Sequence, residues 1–237
     1  MKTDDVREMI RTEMRTEMSA SEDRLLEKMK TVMKEIMKEE IYKLNTVIEK
    51  QNEVINSLTV RVNELEQYSR RSNIQITNVA EMPNEDLEKM ICEVGEKIGI
   101  KINMKQDIQA IHRVPTKSAN SPKPIIVKFT NRMQRNNFIK EAKKKKLKCN
   151  QLNSTQDILF SNNKSIYFND HLTPHNSKIF YEARKCVTEK NAKSAWTRDG
   201  KIYLKRDDMS PPVQITSIKN LDTFRSSYSG AAAKTQS

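Results

Sequence analysis

The side chains whose type and spacing point most directly to chemistry are cations. Between Lys128 and Lys148 stand nine basic residues, Lys128, Arg132, Arg135, Lys140, Lys143, Lys144, Lys145, Lys146 and Lys148, against one acid, Glu141. Four consecutive lysines repel one another, although cations near a helix C-terminus recover part of that cost from the helix dipole. Neutralising the phosphates of a polyanion is the economical reason to keep such a cluster. The plainer readings are a solvated basic face or a nuclear-import address. Arg70, Arg71 and Arg113 extend the set, and Arg184, Lys185 and Arg198 offer further contacts from the C-terminal part. Trp196 reads equally well as a core residue or as a stacking one.

Other chemistries find little support. Cys92, Cys149 and Cys186 are odd in number, widely spaced and in no CxxC pair, so reduced thiols are expected rather than a disulfide framework or zinc site. His171 and His175 form HxxxH, but Leu-Thr-Pro lies between them, unlike a helical HExxH. The four glycines, at 95, 99, 200 and 230, allow neither GxGxxG nor GxxxxGK[ST]. No nucleophile–base pair or carboxylate pair is visible, so no enzyme, no cofactor and no metal are expected. The longest aliphatic run, Ile125-Ile126-Val127, is far short of a membrane span. The N-terminal residues lack a signal-peptide h-region, and a non-secreted chain is expected.

The elements that must position these cations divide the chain by charge. Residues 1–69 carry 12 basic and 15 acidic side chains and no Gly or Pro, whereas residues 70–237 carry 31 basic, 16 acidic and all 7 prolines. The first part reads as a helical rod. From Ile41 a heptad places Ile41, Ile48, Ile55 and Val62 at a, and Leu44, Gln51, Leu58 and Leu65 at d, the pattern that drives left-handed supercoiling. Met29, Met33, Met37 and Ile41 step by four, as in a stutter. Ser19-Ala20-Ser21-Glu22 has capping-box form and predicts a helix restart. Ile or Val at a with Leu at d favours two strands, while Arg61 at g and Glu66 at e around Val62 and Leu65 follow a pattern of three-stranded coils. A homotrimer is the expectation, with a dimer as the alternative.

The second part reads as two small α+β units. Asn73 to Val79 alternates as a strand, and Asn84 is expected to cap a helix carrying Leu87, Ile91, Val94 and Ile98 on one face. Ile108–Val114 and Pro124–Phe129 are further strands on either side of a proline-rich loop. A helix over 132–146 and a strand over 165–168 complete the order βαββαβ of a ferredoxin-like, RNA-recognition-type fold. The stacking aromatics of such a domain are mostly absent, since Gln75, Pro124 and Ile126 occupy their places and only Phe129 remains. Thr173 and Pro174 open another helix, with Ile179, Ala183 and Val187 inward. Two strands follow, joined at Asp199-Gly200, then a short helix over 218–224. The predicted layout is a short helix (1–20), a coiled coil (21–69), an RNA-recognition-like domain (70–170), a C-terminal domain (171–225) and a disordered tail (226–237).

Three segments together, YSRRSNIQITNVAE, AIHRVP and PKPIIVKFTNRMQRNNFIKEAKKKK, resemble the first-open-reading-frame RNA-binding protein of LINE-type non-LTR retrotransposons, in its insect form. SIYFNDHLTPHNSKIFYEARK and AWTRDGKIYLK resemble the C-terminal domain those proteins share with the few-polyhedra (FP) protein of baculoviruses. The resemblance implies a trimeric coil, a non-standard RNA-recognition domain and a small C-terminal domain. Together these would bind single-stranded RNA or DNA with little sequence preference and act as a nucleic-acid chaperone. The expected setting is a ribonucleoprotein particle of the cytoplasm, and also of the nucleus, with no membrane or small-molecule substrate. Basic positions carry over best at Arg70, Arg71, Arg113 and Lys143–Lys146, and more loosely at Arg184, Lys185 and Arg198. A structural protein of FP type, recruiting protein partners through its coil and C-terminal domain, is the alternative.

Overall fold

A computed structural model describes residues 3–116, 121–153 and 164–232, and it divides into two units, Met1–Arg61 and Val62–Ser237. The described residues of the first unit are all helical, part of α1 (Thr3–Ser69). The restart predicted at Ser19-Ala20-Ser21-Glu22 is not there, because α1 runs through it. Nothing in residues 1–69 forbids continuation, and serine in a helix interior costs only a few tenths of a kcal/mol. Thr12, Thr31, Thr46 and Thr59 donate to carbonyls four residues back, and Lys43 lies 3.0 Å from both Glu39 and Glu40. The seven aliphatic a and d residues from Ile41 to Leu65 stand 50–70% exposed.

The second unit holds two antiparallel sheets with helices. β1 (Asn73–Thr77), β2 (Ile108–Arg113), β3 (Ile125–Phe129) and β4 (Tyr167–Asp170) form a four-stranded sheet in the order β2-β3-β1-β4. α2 (Leu87–Ile98) connects β1 to β2, with a single turn, α3 (Met104–Asp107), before β2, and α4 (Arg132–Lys145) connects β3 to β4. Alternation in β1 buries Ile74 and Ile76 against Met90, Ile91 and Val94 of α2 and Phe138, Ile139 and Ala142 of α4. The cap of α2 is Asp86, whose carboxylate accepts from Lys89 N–H. Asn84 lies outside the helix in the left-handed region, φ 57°. β4 begins two residues later than expected. Phe129 points inward, its ring centroid 5.3 Å from that of Phe138, so it serves the core rather than a base.

The chain continues with α5 (Pro174–Thr188), β5 (Ser194–Arg198), β6 (Lys201–Lys205), β7 (Val213–Ile215) and α6 (Ile218–Ala232). Thr173 caps α5 as its sequence predicts, accepting from Asn176 N–H at 3.1 Å. Ile179, Ala183, Cys186, Ile202, Leu204, Ile215, Leu221 and Phe224 make a second apolar cluster. α6 extends past Ser226, where a disordered tail is expected, and residues 233–237 lie outside the described residues. The last helical stretch, Ser226 to Ala232, ends in two alanines, the best helix formers. β7, too short and polar to alternate visibly, escapes a sequence reading.

A buried ion pair ties the two sheets together. Arg135 of α4 and Asp170 of β4 are 2% and 5% exposed, and Arg135 also donates from Nε and Nη2 to the Asn73 carbonyl, at 3.1 and 2.8 Å. The other Asp170 oxygen accepts from Gly200 N–H at 3.4 Å, in the β5–β6 turn. Burial alone disfavours ionising Asp170, but the Arg135 charge and these hydrogen bonds outweigh it and hold its carboxyl below the ordinary aspartate value. Removing one member strands the other. Asp170→Asn is therefore expected to lower the stability of the full chain by about 3 kcal/mol or more, read as a drop in the urea midpoint at unchanged slope. Asp170→Asn unfolding at the wild-type midpoint would show that the pair does not hold the sheets.

Candidate nucleic-acid interface

The cations singled out by sequence separate into inner and outer sets. Arg113, only 9% exposed in its side chain, grips the Glu85 carboxylate through Nε and Nη2 at 2.5 and 2.6 Å. Its other donors go to the carbonyls of Val79, Ala80 and Lys123. All five guanidinium N–H groups are thereby used inside the fold. Arg135 is consumed by the pair described above. Arg70 donates from Nη1 to the Leu172 carbonyl and to His171 Nε2, both at 2.9 Å, and from Nη2 to Glu66. These three arginines, expected among the phosphate contacts, spend their donors on partners within the fold. Glu66, expected at a coil interface, is engaged by Arg70 within its own chain. Arg71 lies over the Tyr68 ring, 5.1 Å from its centroid.

The lysines stay outside. Lys128, Arg132, Lys140 and Lys143–Lys146 are exposed, and Glu141 pairs with Lys144 at 2.7 Å. Lys146 closes α4 in the left-handed conformation, φ 51°, donating its N–H to the Ala142 carbonyl. Lys143 and Lys146 line a pocket of about 290 Å³ against edge strand β4, shared with Tyr167 and Asn169. Lys148 is half-buried where the chain bridges to Ser165. Arg184 and Arg198 are exposed, while Lys185 pairs with Glu182 and covers the Tyr181 ring at 4.7 Å. On the sheet's open face, Gln75 pairs with Ile126 and Asn169, and Asn73 with Lys128. No aromatic side chain of β1 or β3 faces outward, as the sequence predicts.

A polar clamp, unmarked in the sequence, holds the last turns of α1 to the junction of β4 and α5. Gln67, 8% exposed, donates to the His171 carbonyl at 3.0 Å and accepts from Thr173 N–H and Asn176 Nδ2. Asn63 accepts from the Thr173 hydroxyl at 2.6 Å and donates to Asn176. Gly200, φ 76°, is required in the turn because a Cβ there would lie 2.5 Å from Gln67 Nε2. Asn63, Gln67 and Arg70 are i, i+4 and i+7, one stripe of α1. Only that spacing could have shown them in the sequence, and polar residues off a heptad seam are unremarkable.

His171 sits at the centre of this clamp. Arg70 can only donate, so Nε2 accepts and the proton resides on Nδ1. The Asn73 amide nitrogen stands 3.0 Å from Nδ1, while Asn73 Oδ1 is buried without a partner among the described residues. Turning the amide lets Oδ1 accept from Nδ1–H. Burial, then the Arg70 charge and that of His112, pull the His171 pKa down to about 4.

The segment from Thr173 onward has a known counterpart. A family model described as Baculovirus FP protein domain 2 matches residues 173–225. The C-terminal part of the chain is thus similar to an FP domain, as its sequence leads one to expect. No curated protein matches the chain. The match opens at the cap of α5 and closes at Arg225 in α6, so the second apolar cluster lies within it. The clamp therefore joins the end of α1 to the first turn of an FP-like segment.

The clamp gives a pH dependence. The His171 pKa is lower folded than unfolded, so the unfolded chain binds the proton more readily and acid favours unfolding. The associated stability is present above pH 6.5 and lost as pH falls towards 4, by up to about 3 kcal/mol. The urea midpoint of the full chain is expected to fall across that window, and His171→Gln to flatten the fall. An equal slope in the two proteins would show that His171 is not held neutral.

Proposed function

We propose that this chain is an oligomeric single-stranded nucleic-acid-binding protein, largely indifferent to sequence, with a chaperone-like role in a retrotransposon ribonucleoprotein of LINE type. The observation that carries this reading is the exposed run Lys143–Lys146, opposed only by Glu141 and placed beside a pocket with an exposed tyrosine. The strand order β2-β3-β1-β4 around two helices supports a ferredoxin-like, RNA-recognition-type domain. Its open face has lost the aromatic readers of β1 and β3, which favours backbone contact over base-specific readout. The exposed seam from Ile41 to Leu65 supports self-association through α1, as a homotrimer by the Arg61 pattern. Several heads of modest affinity then act together by raised effective concentration. Weak, rapidly exchanging contacts let strands rearrange. No helix of the described residues is long and apolar enough to cross a membrane.

Lys146 carries a further argument. A left-handed helix end suits glycine, and a lysine there costs about 1 kcal/mol. Keeping the charge at that cost is understandable if the charge is used. Lys146→Gly is expected to raise stability while weakening nucleic-acid binding, read in the urea midpoint and in filter binding.

The family match favours one other reading, an FP-type structural protein whose coil and C-terminal domain recruit proteins. Filter binding of single-stranded RNA at several salt concentrations separates the two. The proposed function predicts a steep log-log loss of affinity with salt, similar for unrelated sequences. Replacing Lys143–Lys146 by Gln is expected to reduce the slope by up to about 3. Ile48→Asp with Ile55→Asp is expected to give monomers that bind long RNA far more weakly, with mass read by light scattering. Unchanged binding in the lysine variant selects the recruiting protein instead.

A further inference from the structure

The outer face of the β5–β6 hairpin carries an aromatic pair that belongs to neither apolar core. Cross-strand partners share a face of a sheet. Ala195, Leu204 and Ile202 face the second cluster and Thr197, paired with Ile202, bonds Asp170 from that same side, which leaves the half-buried Trp196 and Tyr203 on the opposite side. Their rings stack, with centroids 5.8 Å apart and planes at 18°. Arg198 stands opposite Lys201 on one flank, and Ser194 opposite Lys205 on the other; Gln214 of β7 lies beside Tyr203. This face carries no acidic side chain. Arg198 and Lys201 are both exposed and, among the described residues, neither side chain has an ion pair or hydrogen bond. Like charges directly opposite each other destabilise a sheet, and an anion held between them relieves the repulsion.

We propose that this face is a second nucleic-acid contact surface, on which unpaired bases stack against Trp196 and Tyr203 while Arg198 and Lys201 hold the flanking phosphates. The inference rests on the nucleic-acid function proposed above and adds to it a stacking component that the β1–β4 sheet lacks. Aromatic faces stack on every base alike, so the arrangement is compatible with indifference to sequence. Bases within a duplex already stack on their neighbours, so the surface selects single strands. Residues 194–205 fall inside the segment similar to an FP domain, and the contact would belong to that segment rather than to the lysine run.

Trp196 is the sole tryptophan of the chain, so its fluorescence reports directly on this surface. The full chain is titrated with oligothymidylate and, separately, with inorganic polyphosphate of matched charge, with anisotropy of a labelled oligonucleotide recording binding in parallel. Stacking predicts quenching by oligothymidylate and little by polyphosphate. Tyr203→Leu is expected to lower single-strand affinity at least about fivefold, while Trp196→Phe, which keeps a stacking ring, stays near wild type. Binding in anisotropy with unchanged fluorescence and a Tyr203→Leu variant of wild-type affinity would overturn this surface and leave the lysine-run function standing. Equal quenching by polyphosphate would reduce it to an anion site and also overturn it. Absence of any binding at low salt would sink both.

Discussion

One buried carboxylate holds the second unit together. Asp170 ends β4, takes the Arg135 guanidinium on one oxygen and the Gly200 N–H on the other, and is followed at once by three residues of the clamp. His171 offers its ring and carbonyl, Leu172 its carbonyl, and Thr173 its N–H and hydroxyl. Four successive residues thus collect contacts from α1, α4, β1 and the β5–β6 turn. An ion pair this dry has no advantage over a well-packed apolar cluster in stability alone. Its directional hydrogen bonds fix which strand end meets which turn, and a greasy contact would leave that choice open.

The same logic keeps the clamp apart from the heptad seam in the last turns of α1. Val62 and Leu65 occupy a and d of the heptad, whereas Asn63, Gln67 and Arg70 fall at b, f and the next b. The clamp therefore takes the flank that a coiled coil leaves free. A second copy of the helix can pack on the seam without displacing Gln67 from Thr173. Glu66 marks the limit of this division, since its carboxylate at e is drawn to Arg70 within the chain.

Much of this architecture is legible in the sequence. The long helix of residues 1–69, the Thr173-Pro174 start, the Asp199-Gly200 turn and the strands β1 to β3 follow from local composition, periodicity and turn chemistry, which the folded chain honours. The misses share a cause. Ser19–Glu22 has the chemistry of a helix start but no element that ends the preceding helix. Asn84 and Asp86 are equally good caps by type, and only the path of the chain chooses between them. The clamp is harder still, because its partners lie about a hundred residues apart and each is an ordinary polar residue. A contact made by Gln67 with Thr173 leaves no local trace. Trp196 reads two ways in the sequence for a related reason: its face is decided by register with β6, and the sequence of β5 alone does not state it.

Charge count does not separate the cations that the fold takes inside from those it leaves at the surface. The segment from residue 70 onward carries 31 basic against 16 acidic side chains, which invites treating every Arg and Lys as a phosphate contact. The fold sorts them by chemistry. A guanidinium presents five donors in a rigid fork and suits buried acceptors, so Arg70, Arg113 and Arg135 are drawn inside. A lysine ammonium is a strongly hydrated point charge and remains at the surface. The cations left for a polyanion are chiefly the lysines of α4, with Lys128 and a few outer arginines. A contact set rich in lysine attracts phosphates without the bidentate geometry that reads base edges. Under the proposed function, little sequence preference would follow from which cations the interior has already claimed, and the aromatic face of the hairpin would supply the preference for unpaired strands.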